Sequence, residues 1–174
     1  STAAVMTDGA IVAAASEERF SRRKNDERVP LQAIDYCLKE AGLSGADLDL
    51  VAIAGASLAF GPWVTRVYST FSMADHLRAQ REYWYPRLHL DETPDWLEVF
   101  KDKLDLDQFP GNLGRLMGRG NSYYSADNWP QFRDALHAGL AGRIGVARDR
   151  IQHFDHHSCH AAYAYWGSPW REPA

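Results

Sequence analysis

Near the start of the chain, an Asp8-Gly9 pair separates two short apolar segments. The segments, residues 1–6 and 11–16, are rich in Ala, Val and Ile. Asp-Gly favours the tight turn in which both central residues have positive φ, and such a turn joins neighbouring antiparallel strands. The pattern therefore predicts a β-hairpin, so the fold must contain an antiparallel pair of strands.

A helix and a strand of a different kind follow the hairpin. Pro30 suits a first helical position and Gly42 a terminating one, with apolar residues at helical spacing between them, so we predict a helix over about 30–41. Residues 50–54 form an apolar run before Gly55, which is typical of a buried strand in a parallel sheet. The order β-β-α-β predicts an α/β fold.

The centre of the sequence, about 62–107, is aromatic and mainly helical by period. Pro62 and Pro94 stand at predicted helix starts, and Pro86 is expected to end or kink the first long helix. Aromatic residues at helical spacing belong more often to a core or an interface than to a ligand cage. The members of this group are Trp63, Tyr68, Phe71, Tyr83, Trp84, Tyr85, Trp96 and Phe100.

The later elements are read from composition and period. The glycine-rich segment 109–129 is predicted to be a loop, and it lacks the Lys-Ser/Thr of a phosphate-binding P-loop. We then predict a helix over about 130–144, a strand over 150–154 and a last helix that begins near His157.

Composition excludes several classes of function. The 174 residues are 45% hydrophobic and 24% charged, which is typical of a globular protein. The net charge is −4, so the chain has no general electrostatic attraction to nucleic acid or anionic membranes. No apolar run is long enough to span a bilayer. The two cysteines suit a reducing cytoplasm. We expect Cys37 in the core and Cys159 to be a packed side chain rather than a nucleophile.

Three histidines within five residues give the strongest local signal, at the predicted junction of strand and helix. His156 and His160 are separated by one helical turn, so their rings project from one face and are able to bind one metal ion together. His157 is expected to point elsewhere. Two imidazoles leave the site incomplete, and Asp155 is the nearest candidate for a further ligand. The alternative is that these histidines cap the helix.

The segment 17–28 follows directly on the hairpin and carries five basic and four acidic residues. Mixed charge at this density predicts an exposed, solvated loop. The functional alternative is that a loop leaving a strand with arginines and a lysine grips a phosphate or a polar substrate.

Two of these segments together resemble the carbamoyltransferase family that includes nodulation protein U and the antibiotic-tailoring O-carbamoyltransferases. The first is residues 1–24, with Glu-Glu-Arg-Phe at 17–20, continuing to Leu38. The second is His156-His157-Ser-Cys-His160-Ala-Ala, followed by residues 163–169. Residues 60–147 carry no matching motif.

The resemblance implies a fold of the Kae1-like type, in the actin, sugar kinase and Hsp70 superfamily, with a mixed ribonuclease-H-like sheet flanked by helices. Residues 60–147 would be a helical, aromatic-rich insertion. In this family a carbamoyl group from carbamoyl phosphate is activated with ATP and Mg as carbamoyl adenylate in a YrdC-like domain. It is then passed to a hydroxyl of a small-molecule acceptor, such as a natural product or a sugar.

The resemblance also implies roles for individual residues. His156 and His160 match the metal pair that holds an iron-type divalent ion near the nucleotide. Lys24 matches a substrate-binding position near the acceptor and phosphate, with Arg19 and Arg22 beside it. The catalytic base, a His-Asp pair, is expected before Ser1.

The third metal ligand, the adenine-binding glycines and the YrdC-like domain are expected after Ala174. On this interpretation the chain is an incomplete, cytoplasmic piece of a carbamoyltransferase and is inactive alone. A homodimer is one expected form of the complete protein. Two alternatives remain. One is a metal-dependent hydrolase, suggested by His153-x-Asp155-His156-His157. The other is a non-catalytic nucleotide-binding module.

Overall fold

The computed structural model describes residues 1–55, 60–105, 109–110 and 129–169. Within these ranges the chain is a mixed α/β protein. All but the first two and the last residue of the predicted glycine-rich loop, 109–129, lie outside the described residues.

The first two strands form the predicted hairpin. β1 (Thr2–Thr7) pairs antiparallel with β2 (Ala10–Ser16). Asp8 has φ 50° and Gly9 has φ 78°, so both turn residues occupy the region that the Asp-Gly pair was expected to provide. The hairpin prediction is confirmed.

A buried glutamate joins the hairpin to the next helix. The charged segment contains a short helix, α1 (Glu18–Ser21), and is followed by α2 (Leu31–Ala41), which ends at Gly42 with φ 66°. Glu17, only 4% exposed, accepts hydrogen bonds from the backbone N–H groups of Gln32 (3.3 Å) and Ala33 (2.9 Å). Its carboxylate thus satisfies N–H groups that the first turn of α2 leaves without helical partners.

The second sheet links distant parts of the chain. β3 (Val51–Ala54) pairs in parallel with β4 (Ile151–Phe154), so that Val51 is opposite Ile151 and Ala54 is opposite Phe154. Parallel pairing was predicted, but full burial of β3 is wrong, because Ala52 and Ala54 are exposed. Among the described strands the two sheets are separate, so the expected single mixed sheet is not formed there.

The described residues of the predicted helical stretch, about 62–107, are mainly helical, as predicted. Its first elements are α3 (Phe60–Val67), α4 (Met73–Ala79), a π-helical turn (Gln80–Trp84) and α5 (Tyr85–His89). Pro86 does not end the helix; the chain passes through the wider π turn just before the proline and continues helical to His89. A π turn changes the hydrogen-bond register at the point where proline cannot donate.

The elements after α5 lead to the histidine segment. They are α6 (Trp96–Val99), α7 (Trp129–Ile144), β4 and α8 (His156–Trp166). The predicted bounds of α7 and β4 and the predicted start of α8 are confirmed within one residue. None of the helices in the described ranges is both long and apolar enough to cross a bilayer.

Aromatic side chains form the main core. Tyr83 and Phe100 are fully buried, and the Trp96 indole Nε1 donates to the Thr65 hydroxyl over 3.2 Å. From α7, the predicted apolar face contributes three buried side chains, Phe132, Leu136 and Leu140. The core interpretation of the aromatic centre is confirmed for these residues, whereas Tyr85 is exposed.

We expect Glu17→Ala to lower the free energy of unfolding by about 1–3 kcal/mol, because it removes a charged acceptor from buried N–H groups. Urea denaturation of the purified chain measures the loss. Glu18→Ala is the matched control, since Glu18 accepts a single N–H, from Asn25, at the surface. Equal losses in the two variants would contradict the anchoring role of Glu17.

Candidate functional site

The histidine segment lies where β4 passes into α8. Asp155 occupies the N-cap position, and its carboxylate accepts the backbone N–H of Ser158 over 2.8 Å. This hydrogen bond lowers the pKa of Asp155, because the ionised carboxylate is the better acceptor. The capping role that the sequence left open for the histidines therefore belongs to Asp155.

His156 and His160 converge as their spacing predicts. Their Nε2 atoms lie 2.9 Å apart, and their ring planes are nearly perpendicular, at 86°. Both side chains are exposed. Two imidazole nitrogens aimed at one point, with access from solvent, are the geometry in which a pair of histidines chelates a metal ion.

A third ligand does not join this pair within the described part of the chain. There, no group of three His, Cys, Asp or Glu side chains comes close enough to hold a metal ion. The expectation that Asp155 supplies the ligand is not met, because its carboxylate is engaged at the helix cap. His156 and His160 thus offer two ligands and leave the remaining positions open.

The charged segment is anchored rather than solvated. Asp26 is only 5% exposed, and its carboxylate accepts from the Arg28 guanidinium over distances of 2.6 to 3.2 Å. These hydrogen bonds hold the pKa of Asp26 well below its usual range. The Tyr68 hydroxyl accepts the Val29 N–H (3.3 Å), and burial raises the pKa of Tyr68 to about 12. The prediction of an exposed loop is wrong for Glu17 and Asp26, because both carboxylates bind partners inside the fold.

The predicted substrate-binding cations lie on the outer side of this anchored loop. Arg19, Arg22 and Lys24 are all exposed, and Arg22 adopts a left-handed conformation with φ 56° at the end of α1. Across the ranges that the structure covers, none of the three forms an ion pair with a carboxylate. Arg19 lies on α1, Arg22 at its end and Lys24 just after it, and we call this segment the basic loop. No described hydrogen bond joins the basic loop to α8.

The sequence interpretation missed a second pair of histidines. His137 on α7 and His153 on β4 bring Nε2 and Nδ1 within 2.9 Å. Burial lowers the pKa of both side chains, that of His153 to about 4. Sequence spacing carries no sign of the pair, because it depends on the packing of α7 against β4.

The pairing of His153 also bears on the hydrolase alternative. That alternative needs His153, Asp155, His156 and His157 at one centre, but His153 faces α7 and Asp155 caps α8. Successive residues of a strand point to opposite faces, and a helix then changes the direction again. The described residues do not assemble the dinuclear arrangement.

The two cysteines differ in environment. Cys37 is 1% exposed, its thiol donates to the Ala3 carbonyl oxygen over 3.5 Å, and burial raises its pKa. A buried thiol with a raised pKa is a poor nucleophile, so the core role of Cys37 is confirmed. Cys159 is half-buried on α8.

Comparison with known protein families agrees with the resemblance noted from the hairpin and histidine segments. The model of the family described as carbamoyltransferase N-terminus matches residues 1–173. The chain belongs to this family.

Several curated proteins match shorter segments of the chain, among them the following three. An uncharacterized protein of Synechocystis, sll1178, is 53% identical over 51 residues, 29% of this chain and 8% of that protein. Nodulation protein NolNO of Sinorhizobium fredii is 40% identical over 50 residues, 29% of this chain and 7% of that protein. An uncharacterized 19.2 kDa protein of Rhizobium etli is 42% identical over 45 residues, 26% of each chain. The matches thus span from 7% to 26% of these relatives.

We expect the chain to lose about 2 kcal/mol of stability as the pH falls from about 6.5 to about 5. His137 and His153 have lowered pKa values when folded, so over this range the proton binds preferentially to the unfolded chain. Asp26 titrates at lower pH, so its effect on stability is separate from that of the two histidines. Urea denaturation at several pH values measures the loss, and the double variant His137→Gln/His153→Gln should flatten it. An equally steep loss in the double variant would assign the effect to other groups.

Proposed function

We propose that this chain is the amino-terminal, Kae1-like part of an O-carbamoyltransferase. The family match over residues 1–173 carries the proposal. The order of hairpin, helix, parallel strand pair and histidine-bearing helix supports the Kae1-like assignment and its membership of the actin, sugar kinase and Hsp70 superfamily. The fold alone does not assign the function, which depends on the groups described below.

The proposed reaction moves a carbamoyl group from carbamoyl phosphate to a small-molecule hydroxyl, by way of a carbamoyl adenylate made with ATP and Mg. In the transfer step the acceptor oxygen attacks the carbamoyl carbon, the hydroxyl proton passes to a base, and AMP departs. The acceptor class is a natural product or a sugar. This activity belongs to the complete protein, which is proposed to act in the cytoplasm. The present chain contributes the metal pair and the basic loop.

The histidine pair fits a divalent metal of the iron type. Imidazole suits such ions, and the facing Nε2 atoms of His156 and His160 converge at 2.9 Å without a bulky group between them. Asp155 caps the first turn of α8, the turn that carries His156. Their exposure leaves room for further ligands to approach. When bound, the metal would supply positive charge near the departing phosphate.

The basic loop fits an anionic substrate. Glu17 and Asp26 hold the loop from the inside, so Arg19, Arg22 and Lys24 do not have to order a mobile segment when they bind an anion. Guanidinium and ammonium groups without carboxylate partners lose no ion pair when a phosphate arrives. This loop is the proposed contact with the phosphate of carbamoyl phosphate or of the adenylate.

We expect His156→Ala and His160→Ala each to weaken Fe²⁺ or Co²⁺ binding at least tenfold, because each removes one of two converging ligands. Anaerobic titration followed by metal analysis of the chain measures the binding. His157→Ala is the matched control from the same turn. Unchanged metal content in both variants would remove the metal from the proposal without affecting the family assignment.

We expect Lys24→Ala and Arg22→Ala to raise the KM of the full-length enzyme for carbamoyl phosphate or ATP about tenfold, the value of one lost charge-assisted hydrogen bond. Steady-state assays of carbamoyl transfer measure KM and kcat. Arg23→Ala changes the neighbouring exposed arginine of the same loop and should leave KM nearly unchanged. Equal effects in all three variants would indicate only a general charge effect.

A further inference from the structure

The His137–His153 pair has a geometry different from that of the pair on α8. Its facing nitrogens are 2.9 Å apart, its ring centroids 5.2 Å apart, and its ring planes differ by 14°. The two ring centroids are almost as far apart as a 2.9 Å contact between ring nitrogens allows. Both centroids and both nitrogens therefore lie nearly on one line. The rings are therefore close to coplanar, which is the arrangement of an N–H···N hydrogen bond made in the plane of both imidazoles.

This hydrogen bond determines the charge that the pair carries. One nitrogen must hold a proton and the other a lone pair, so both rings cannot present N–H groups to each other. The lowered pKa values keep the pair neutral at neutral pH. On taking up one proton, the pair becomes a shared imidazolium.

The pair lines a cavity of about 590 Å³ between the first half of α7 and the segment 148–153. Arg133 lies one helical turn before His137, and its positive charge contributes to the lowered pKa of both imidazoles. No carboxylate within the described ranges pairs with Arg133. The polar groups that line the cavity are Arg133, Asp134, His137, Arg148, Gln152 and His153.

The charges in the cavity favour an anion over a cation. Asp134, the only carboxylate among the described lining residues, is already engaged in an ion pair with Arg148. Among the described residues, Arg133 therefore has no carboxylate partner and places its positive charge beside the two imidazoles. A metal ion at the two histidines would face this guanidinium at close range, whereas an oxyanion would be attracted to it.

We infer that this cavity binds a phosphate-like oxyanion, held by the Arg133 guanidinium and by the His137–His153 pair, which takes up a proton as the anion binds. The group is a free phosphate or the phosphate of a nucleotide. This site is separate from the metal pair and from the basic loop, and the inference does not depend on the carbamoyl-transfer assignment. The proton uptake follows from the anion's charge, which offsets the repulsion and burial that otherwise keep the imidazoles neutral.

Sulfate is the first probe, because its charge is constant over the pH range of the test. We expect sulfate binding to tighten about tenfold between about pH 7 and about pH 5, as measured by calorimetry and by shifts of the imidazole NMR signals of both histidines. His137→Gln should remove most of this pH dependence. Sulfate that leaves these signals unmoved at both pH values would overturn the inference.

Arg133→Gln tests the site at about pH 7, where acid unfolding does not interfere. We expect it to weaken sulfate and phosphate binding about tenfold. Arg81→Gln, an exposed arginine outside the cavity, is the control and should leave binding unchanged. Equal weakening in both variants would reduce the binding to general charge attraction and overturn the site.

Two further probes separate the possible ligands. Similar affinities for phosphate and AMP would indicate a free oxyanion, and a much tighter AMP complex would indicate a nucleotide phosphate; either supports the inference. The competing ligand is a metal ion. Stoichiometric Zn²⁺ binding in a His156→Ala/His160→Ala background, lost on His137→Gln, would identify a metal site and overturn the anion assignment.

Discussion

The parallel pairing of β3 with β4 joins two four-residue strands that are 100 positions apart in the sequence, since Val51 is opposite Ile151. Short parallel strands need support from their surroundings, and here the Arg150 guanidinium donates to the carbonyl oxygens of Ala46 and Leu48, the latter over 2.7 Å. The register fixes the point at which β4 ends and α8 begins. β4 also carries His153 to its contact with His137 on α7, so that histidine pair depends on where β4 lies.

The two histidine pairs show how location determines chemistry for the same side chain. His156 and His160 lie on one helix and are exposed, so solvent and additional ligands can reach their nitrogens. His137 and His153 come from different elements and are partly buried beside Arg133, which favours the neutral rings. The first pair is therefore suited to a cation and the second to a proton and an anion.

The charged segment buries two of its carboxylates and exposes most of its cations. Its buried carboxylates, Glu17 and Asp26, bind the first turn of α2 and the Arg28 guanidinium, while Arg19, Arg22 and Lys24 remain at the surface. A solvated loop would have to lose conformational entropy on binding a phosphate. A loop already held by internal hydrogen bonds avoids much of that cost, because its backbone is ordered before the ligand arrives.

The sequence predicted the local interactions, because their partners lie within a few residues of one another. The Asp8-Gly9 turn, the ends of α2 and the shared face of His156 and His160 all follow from backbone preferences and helical spacing. The sequence did not predict the long-range contacts, because the spacing of residues does not indicate which surfaces pack together. Only the tertiary structure placed Glu17 at the start of α2 and brought His153 against His137, since both outcomes depend on burial and on which hydrogen-bond partners meet.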